Sequence, residues 1–422
     1  MPDLDTLLHR PNRFPPENDL MHRLNPQVAM ALLVALLALP AKPAAAQTYT
    51  VLHTFAGGTD GQWPATGVIF DANGAMYVTT YGVLDGAIPA NYGTIYNIGR
   101  KGAYSVIHRF HGPDGANPQV GYLIQDAQGN LYGTTRFGGT LSGGRPGAGG
   151  GTVFKLDTHH KLTNLYTFTG LVDGSVPLGT LVRDAAGEVF GTTLGGGNYG
   201  YGTVFKIDHN GHESVLHSFR SGAGYGGTQP SFGVTADGKG NLFGVDFTGV
   251  NGAPNAGSHV FKIDKTGKFS SLYTFTGKSD GGHPSGQLIL DESGNLYGIT
   301  ADGGDFNNGV VFKVDRHGKE TVLHSFAGAV NNEGSHPVGG LIRDSAGNLY
   351  GATNTGGVAS NDGTIFKLDT LGQMTILYTF PFSTQGGPVV GLAQDAAGNF
   401  YGATSLNMVG APFYGTVFQL KP

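Results

Sequence analysis

The feature that most constrains this 422-residue chain is a phrase that occurs seven times, an apolar-aromatic pair followed in most copies by Gly and Thr. Its aromatic residues are Tyr77, Tyr132, Phe190, Phe243, Tyr297, Tyr350 and Tyr401. Successive aromatic residues are 55, 58, 53, 54, 53 and 51 residues apart. A repeat of this length is typical of the blades of a β-propeller.

Each repeat contains four runs with the composition of β-strands. In one repeat these runs are residues 340–343, 348–353, 363–369 and 374–380. They are rich in β-branched and aromatic residues and are separated by turns that contain Asp and Gly, which is typical of hairpins. Apolar residues stand next to each other within the runs, which indicates a sheet covered on both faces. The pattern predicts an all-β protein, a seven-bladed β-propeller of four-stranded antiparallel blades.

The two ends of the repeat array complement each other. Residues 49–55 resemble an outer strand but precede every inner strand, and residues 415–421 resemble a third strand with no fourth strand after them. We therefore predict that 49–55 pairs with 415–421, which closes the ring and removes exposed sheet edges. The propeller domain would span residues 47–422.

An apolar run at residues 28–39 follows Arg23 and precedes a small-residue segment that ends at Ala46. Such a run is typical of a secretory signal and is too short to span a bilayer. We interpret residues 1–46 as an N-terminal extension and signal peptide, with translation starting at Met21 and cleavage after about Ala46. A secreted or periplasmic location follows as an expectation. Because the chain has no Cys, its stability is expected to come from packing between blades.

Composition and motifs limit the possible functions. The net charge is -5 and charged residues make up 13% of the chain, so nucleic acid is not expected as a partner. The sequence has no nucleophile elbow, phosphate loop or calcium loop. We accordingly assign no catalytic residue, metal ligand or cofactor, and we expect a monomer without a membrane anchor.

The connections between strands differ in length on the two faces of the predicted propeller. Short turns such as 126–129 and 264–267 lie on one face, where their Asp residues are interpreted as turn formers. Long loops are predicted on the other face, at residues 136–150, 194–201, 247–257, 354–362 and 405–414. Because function is often carried by such loops on a rigid scaffold, this loop-rich face is the candidate binding surface.

The blade-to-blade connections repeat an acidic phrase that ends in Pro. Its acids include Asp60, Asp114, Asp173 and Asp280. A ring of acids at the channel mouth would bind a cation or a polyhydroxylated ligand, whereas Asp-Gly in itself favours a turn. Copies four and seven, at 227–230 and 385–388, have no acid, which favours the turn.

Three other residues of these connections are candidates for ligand binding, namely Trp63, His283 and His336. Trp63 is the only Trp of the chain, and two roles are open for it: stacking on a sugar ring or plugging the top of the first blade. With the four acids, the candidate ligand-binding residues are Asp60, Trp63, Asp114, Asp173, Asp280, His283 and His336.

Histidines recur at one position of the predicted outer strands, where other copies have Tyr. They are His53, His108, His217 and His324, and the tyrosines are Tyr166, Tyr273 and Tyr378. Exchange between His and Tyr indicates an amphipathic packing position and argues against a zinc site.

The consensus resembles the bacterial GloVer tandem-repeat family over nearly the whole length after residue 46. Residues 131–135 and 151–157 carry the resemblance most specifically, while the first copy at 93–98 and the fourth at 245–246 and 258–261 depart from it. The resemblance implies an exported, propeller-like protein and says more about location than about activity. Since this chain stops directly after its last predicted strand, we expect a protein without the C-terminal anchors of some family members.

These observations lead to a first hypothesis, a secreted or periplasmic propeller that acts as a binding module and presents its loop-rich face to a glycan or an extracellular protein. The alternative is a hydrolase or lyase acting on carbohydrate or a lactone, with acids such as Asp114, Asp173 and Asp280 around the channel mouth. Two carboxylates about 5–10 Å apart in a pocket would favour that chemistry. A structural role in the cell envelope is a third possibility.

Overall fold

The fold is built almost entirely from β-strands, as a computed structural model of the chain shows. The structure describes residues 47–82, 92–99, 103–118, 121–139, 149–220, 228–247, 257–357, 363–381, 387–405 and 414–422. The predicted signal peptide, Met21 and the cleavage site therefore lie outside the described residues, as do parts of the long loops. Within the described residues no helix has the length and apolar character needed to cross a membrane.

The strands, in chain order, begin with β1 (Thr48–Thr54). Blade 1 holds β2 (Gln62–Pro64), β3 (Ile69–Phe70), β4 (Met76–Tyr81), β5 (Thr94–Ile98) and β6 (Tyr104–Arg109). Blade 2 holds β7 (Ala116–Pro118), β8 (Ile124–Gln125), β9 (Leu131–Phe137), β10 (Thr152–Leu156) and β11 (Leu162–Thr167). Blade 3 holds β12 (Ser175–Arg183), β13 (Val189–Gly195), β14 (Thr203–Ile207) and β15 (Glu213–Ser218). Blade 4 holds β16 (Val234–Ala236), β17 (Leu242–Val245), β18 (His259–Ile263) and β19 (Phe269–Thr274).

Blade 5 holds β20 (Gly282–Pro284), β21 (Ile289–Leu290), β22 (Leu296–Asp302), β23 (Val310–Val314) and β24 (Glu320–Ser325). Blade 6 holds β25 (Ser335–Arg343), β26 (Leu349–Thr355), β27 (Thr364–Leu368) and β28 (Met374–Thr379). Blade 7 holds β29 (Gly387–Pro388), β30 (Ala393–Gln394), β31 (Phe400–Ser405) and β32 (Thr416–Lys421). A short 3-10 helix, Gly58–Asp60, precedes β2.

These strands form seven antiparallel sheets arranged as a ring, so the predicted seven-bladed propeller is confirmed. In blades 1 to 6 the chain runs from the innermost strand to the outermost one, and in blades 1, 2, 5 and 7 the innermost strand is split into two short pieces. The predicted closure is also confirmed: β1 pairs antiparallel with β32 as the outer strand of blade 7, with Tyr49 opposite Leu420 and Val51 opposite Phe418.

The hydrophobic core lies between neighbouring blades. One of its clusters, for example, joins Ile95 and Phe110 of blade 1 to Leu123 and Phe154 of blade 2. Each outer strand is followed by a buried Phe whose ring meets edge-on an aromatic ring on the third strand of the next blade. The seven pairs are Phe55–Tyr96, Phe110–Phe154, Phe168–Phe205, Phe219–Phe261, Phe275–Phe312, Phe326–Phe366 and Phe380–Phe418, with centroids 5.0 to 5.5 Å apart. Such pairs stabilise beyond the area that they bury, and they continue across the closure through Phe55.

The Gly of the repeated phrase makes room for this aromatic ring. A Cβ on Gly133 would lie 2.7 Å from the Phe154 ring, and one on Gly191 would lie 2.6 Å from the Phe205 ring. In blade 1, Val78 stands opposite Tyr96 at the same register. The Gly of the phrase on the second strand and the aromatic residue on the third strand therefore pack directly against each other.

The Asp of each short turn binds the backbone, which agrees with its interpretation as a turn former. Asp126 Oδ1 accepts hydrogen bonds from the backbone N–H groups of Gln128 (3.0 Å) and Asn130 (2.9 Å), and Oδ2 accepts from the Tyr132 hydroxyl (2.8 Å). These hydrogen bonds lower the pKa of the Asp126 carboxyl, although burial acts against them. The Tyr of the phrase thus fixes the turn below its own strand.

Candidate ligand-binding site

The acids of the blade-to-blade connections contact the outer strand of the blade that they leave. Asp114 accepts from His108 Nε2 (2.9 Å) and from the backbone N–H of His111 (2.7 Å). Asp173 accepts from the Tyr166 hydroxyl (3.1 Å) and from Thr169. The acids therefore fix their own connections, as the turn interpretation predicts.

The same contact occurs in the other acidic copies. The further acid-to-ring distances are 3.4 Å for Asp60 and His53 Nε2, 2.9 Å for Asp280 and the Tyr273 hydroxyl, and 3.0 Å for Glu333 and His324 Nε2. The outer-strand His or Tyr is thus the partner of the connection acid, which is more specific than the amphipathic packing position predicted from sequence.

His217 belongs to a copy without an acid, and its environment differs accordingly. Its ring stacks on Phe269 with centroids 4.1 Å apart, and its Nε2 is buried without a hydrogen-bond partner. Burial lowers the pKa of the His217 imidazole to about 4. In the copies of His108 and His324, by contrast, the acid of the connection provides a hydrogen-bond partner for the ring nitrogen.

At the start of six inner strands, the residue before the recurring Pro has a left-handed backbone. We call these residues the rim: Trp63 (φ 51°), Asn117 (φ 55°), Val176 (φ 58°), Gln229 (φ 56°), His283 (φ 50°) and His336 (φ 54°). This conformation is unfavourable for a non-Gly residue, and a following Pro restricts the residue further. The same strained backbone conformation recurs in six blades although the side chain differs from blade to blade. Strained backbone of this kind is often found at functional sites.

Hydrogen bonds to the preceding blade hold the rim backbone. The Trp63 N–H donates to the Tyr414 carbonyl (2.6 Å), and the His336 N–H donates to the Asn308 carbonyl (3.0 Å). The equivalent bonds from Asn117, Val176 and Gln229 are 2.8 to 2.9 Å long. Each of these rim residues is therefore fixed by two blades. Their side chains differ in exposure: Asn117 is buried, whereas Trp63 is exposed.

A cavity of about 330 Å³ lies in the channel below the rim. Its wall includes aromatic and aliphatic side chains, among them Trp63, Tyr81, Phe232, Val338 and Val390. In the part of the chain that the structure describes, no Asp, Glu, Lys, Arg or His lines it. A volume of this size is at the lower end of the range for small-molecule sites.

Tyr122 lines this cavity and reaches over blade 1 to blade 7. Its hydroxyl, carried by blade 2, donates to the Leu392 carbonyl of blade 7 (3.1 Å). Glycines make the space: a Cβ on Gly67 would lie 2.0 Å from the Tyr122 ring, and one on Gly391 would lie 1.9 Å from its hydroxyl. Burial raises the pKa of the Tyr122 phenol above its ordinary value, so the group is a neutral hydroxyl.

Two rim histidines share one carboxylate on the opposite side of the mouth. His283 Nδ1 lies 2.5 Å from Asp302 Oδ2, and His336 Nε2 lies 3.6 Å from Asp302 Oδ1. The His283 ring also stacks on Phe247, with centroids 4.5 Å apart. Because His283 and Asp302 belong to blade 5 and His336 to blade 6, this group bridges two blades.

The structure separates the seven predicted site residues into two sets. Trp63, His283 and His336 are rim residues, and Trp63, with 39% of its surface exposed, lines the cavity, so it is not a buried plug. The four acids contact outer strands and are not among the cavity-lining residues. The ligand-binding role of all seven stays a prediction, and the geometry favours the rim set.

Sequence reasoning missed Tyr81, Tyr122, Phe247 and Asp302. Tyr81 and Phe247 each stand directly after the last position of the repeated phrase in their blade, and Asp302 stands two positions after the end of the phrase in blade 5. Tyr122 occupies a position of the inner strand that is Gly in four other copies. These departures from the repeat are visible in the sequence, but nothing in it shows that they meet around one channel.

Blade 4 departs from the repeat through a buried pair. In five other blades two Thr hydroxyls meet between the second and third strands, as Thr193 and Thr203 do at 2.9 Å; blade 5 has Thr300 opposite Val310. Blade 4 has Asp246 and His259 there instead, with His259 Nδ1 3.1 Å from both carboxylate oxygens. Burial raises the pKa of the Asp246 carboxyl, and the hydrogen bond and charge of His259 lower it. Asp246 and His259, by which the fourth copy differs from the consensus, are therefore a matched pair that replaces two Thr residues together.

Comparison with solved structures finds proteins similar to this chain at low identity. A gluconolactonase from Xanthomonas campestris is 15% identical, with a TM-score of 0.43 over 86% of this chain and 97% of that one. A luciferin-regenerating enzyme is 14% identical, with a TM-score of 0.46 over 72% of this chain and 91% of that one. At this level of similarity, the activities of these enzymes do not transfer to the present protein. No curated protein sequence matches it.

Comparison with family sequence models gives a specific result. The model of the Gloeobacter/Verrucomicrobia repeat family matches residues 42–227 and 182–418. Together these two segments cover all seven blades, so the resemblance drawn from the repeat consensus is confirmed. The chain belongs to the Gloeobacter/Verrucomicrobia repeat family.

Proposed function

We propose that this protein is an exported, non-enzymatic binding module that recognises a glycan at the mouth of its central channel. The observation that carries the proposal is the cavity of about 330 Å³ below a rim that includes Trp63. Aromatic side chains combine apolar area with a stacking face, and concave apolar sites with a few polar groups are typical of ligand-binding pockets. The rigid backbone of the rim favours recognition because little ordering is needed on binding.

A glycan is favoured over an extracellular protein because of the shape of the site. Stable protein interfaces bury a broad surface of about 800 Å² on each partner, whereas the aromatic and polar groups at the channel mouth surround one small concavity. A protein partner is therefore an outcome of the test below and not the proposal itself.

The enzymatic alternative has less support. It placed Asp114, Asp173 and Asp280 at the channel mouth, but these carboxylates accept hydrogen bonds from outer strands and from their own connections. Among the described residues, the Asp302 carboxylate with His283 and His336 is another titratable group near the mouth. A carboxylate held between imidazoles is not the pair of carboxylates that glycoside hydrolysis commonly uses.

A glycan array probed with the purified protein tests the proposal. The informative variant is Val338→Phe, which places a larger side chain in the cavity wall, and the matched control is Val330→Phe on an exposed loop, where Val330 is 80% exposed. We expect at least one glycan to be retained by the wild type and the control and lost by Val338→Phe. Retention of no glycan, or equal retention by all three proteins, would contradict the proposal. Protein partners captured equally by wild type and Val338→Phe would place binding elsewhere.

Export is a separate part of the proposal. It rests on the apolar run at residues 28–39 and on the small-residue segment that follows it. Expression of the full chain in a bacterium, followed by fractionation and intact-mass measurement, should give a periplasmic or secreted product that begins near Gln47. A cytoplasmic product with the full mass would contradict export.

A further inference from the structure

We infer that the mouth cavity receives one neutral, hydroxyl-bearing sugar ring and excludes its charged relatives. This inference rests on the proposed function and narrows it to a class of ligand. Three properties of the cavity support it: a small volume, walls without charge, and hydroxyl groups that keep the capacity to accept hydrogen bonds.

The cavity is small, and one of its walls is formed by a single polar side chain. Tyr122 reaches from blade 2 over Gly67 of blade 1 to the Leu392 carbonyl of blade 7. A ligand that enters the cavity therefore meets the phenol, which is one of the lining groups. A volume of about 330 Å³ suits a single ring, either a monosaccharide or the terminal ring of a glycan.

The walls select against charge. Among the described residues that line the cavity, none carries a formal charge, and the connection acids face outer strands. A carboxylate or phosphate would lose its water without gaining a cation, and an ammonium would gain no acid. An unpaired charge moved into such an environment is strongly unfavourable. The ligand is therefore neutral.

The polar groups of the cavity offer both acceptors and donors. The Tyr122 hydroxyl donates to the Leu392 carbonyl, and Ser285 Oγ donates to the Pro337 carbonyl (2.6 Å). A hydroxyl has one hydrogen but two lone pairs, so Tyr122 and Ser285 keep the capacity to accept. Thr180 Oγ1, which also lines the cavity, accepts from the Tyr122 backbone N–H (3.0 Å), a bond that does not use its own hydrogen. A ligand that complements these groups must supply donors as well as acceptors, as a hydroxyl does.

A pyranose ring combines the required properties. Its hydroxyls donate hydrogen bonds, it has no charge, and its C–H face packs against aromatic rings such as Trp63, which line the same cavity. A purely apolar ligand would leave the acceptors of Tyr122 and Ser285 without water or partner, which is unfavourable in a buried site. Tyr122 and Ser285 are thus inferred to determine specificity for hydroxyl-bearing ligands.

The experiment uses the fluorescence of Trp63, the only Trp of the chain. The full-length protein is titrated with methyl pyranosides of neutral hexoses, with glucuronic acid and with glucosamine. We expect a saturable change with at least one neutral sugar and at least tenfold weaker binding of its acidic and amino counterparts. Equal or tighter binding of the charged sugars, or no response to any member of the panel, would overturn the inference.

Two variants test the roles of the acceptors. Tyr122→Phe and Ser285→Ala should each weaken binding of the neutral sugar about fivefold, the loss expected for one neutral hydrogen bond. Val330→Phe should leave binding unchanged. Thermal melting of each variant confirms folding, and Ser285→Ala keeps the inference testable if Tyr122→Phe does not fold. Unchanged affinity in both folded variants would overturn the assigned roles.

Failure of this inference and failure of the proposed function give different results. If acidic or amino glycans bind and Val338→Phe abolishes their binding, the mouth is the binding site but the ligand class is wrong. If binding of any glycan is insensitive to Val338→Phe, the proposed site itself is wrong.

Discussion

The exchange of a Thr pair for Asp246 and His259 in blade 4 gives the sharpest test of how this fold tolerates variation between its repeats. Asp246 is only 2% exposed, and its carboxylate accepts from the backbone N–H of His259 (3.0 Å) as well as from Nδ1. His259→Thr removes the imidazole and leaves the carboxylate buried without its side-chain partner. Breaking a buried pair in this way typically costs about 3–5 kcal/mol. Because the backbone bond remains, we expect a cost at the lower end of this range, about 3 kcal/mol, at pH 7.

The double variant Asp246→Thr with His259→Thr recreates the hydroxyl pair seen in blade 3. We expect its free energy of unfolding to lie within about 1 kcal/mol of the wild type, or above it, because replacing both members of a buried ion pair is often neutral or stabilising. Asp246→Thr alone should cost about 1–2 kcal/mol, the cost of leaving one buried polar group unsatisfied. The single changes would then be strongly non-additive.

Urea denaturation followed by circular dichroism measures these free energies, and a double-mutant cycle gives the coupling. Thr203→Val in blade 3 is the matched control, because it removes one hydroxyl partner without exposing a charge, and it should cost about 1 kcal/mol. Since burial raises the pKa of Asp246 and His259 lowers it, loss of His259 favours the protonated carboxyl. The cost of His259→Thr should therefore be smaller at pH 5 than at pH 7. Additive single costs, or no change in cost with pH, would refute the reasoning.

Three further predictions concern stability. Burial, with the charges of Asp173 and Asp280, raises the pKa values of Glu213 and Glu320 from 4.5 to about 7. Because the carboxyls of the unfolded chain ionise first, stability falls as the pH rises from about 4.5 to 7. Glu213→Gln and Glu320→Gln should therefore each stabilise by about 1–2 kcal/mol at pH 8 after allowance for solvent screening, but hardly at pH 5. Equal shifts in melting temperature at both pH values would contradict this. Burial in the folded protein lowers the pKa of His217 to about 4. As the pH falls, the imidazole is therefore protonated first in the unfolded chain, and the free energy of unfolding decreases between about pH 6.5 and 4. His217→Tyr should flatten this part of the profile of stability against pH, and an unchanged slope would contradict the prediction. Deletion of residues 48–54 removes six residue pairs of the closing strand and should cause unfolding or aggregation; unchanged thermal melting would show that the closure is dispensable.

The fold was predictable because its determinants are local and repeated. Asp126 fixes its turn within four residues, and Gly133 meets Phe154 on the adjacent strand. Seven repetitions of such short-range relations reveal the blade and its number, and the spare strands at the two ends reveal the closure. The turn alternative for the Asp residues of the connections could be drawn for the same reason, since Asp173 binds groups within seven residues of itself.

The candidate site was predictable only in part. Trp63, His283 and His336 were noticed because they stand out in a repeated connection. The significance of Tyr122 was not visible, because its hydroxyl meets the Leu392 carbonyl 270 positions away. Asp302 was missed because its interaction with His336 crosses a blade boundary and has no counterpart among the described residues of the other repeats.

By itself, the sequence determined the architecture of this protein: the strands, the turns, the number of blades and the pairing of the two ends. These features follow from hydrogen bonds and packing between residues that are near in sequence or that recur with the repeat. Only the tertiary structure decided which departures from the repeat meet at the channel, that the connection acids bind outer strands, and that Tyr122 lines a cavity whose described lining residues carry no charge. The physical reason is that the ring brings the inner strands of blades that are distant in sequence together around one axis. The sequence separation of two residues that meet there, such as Tyr122 and Leu392, therefore gives no indication that they are in contact.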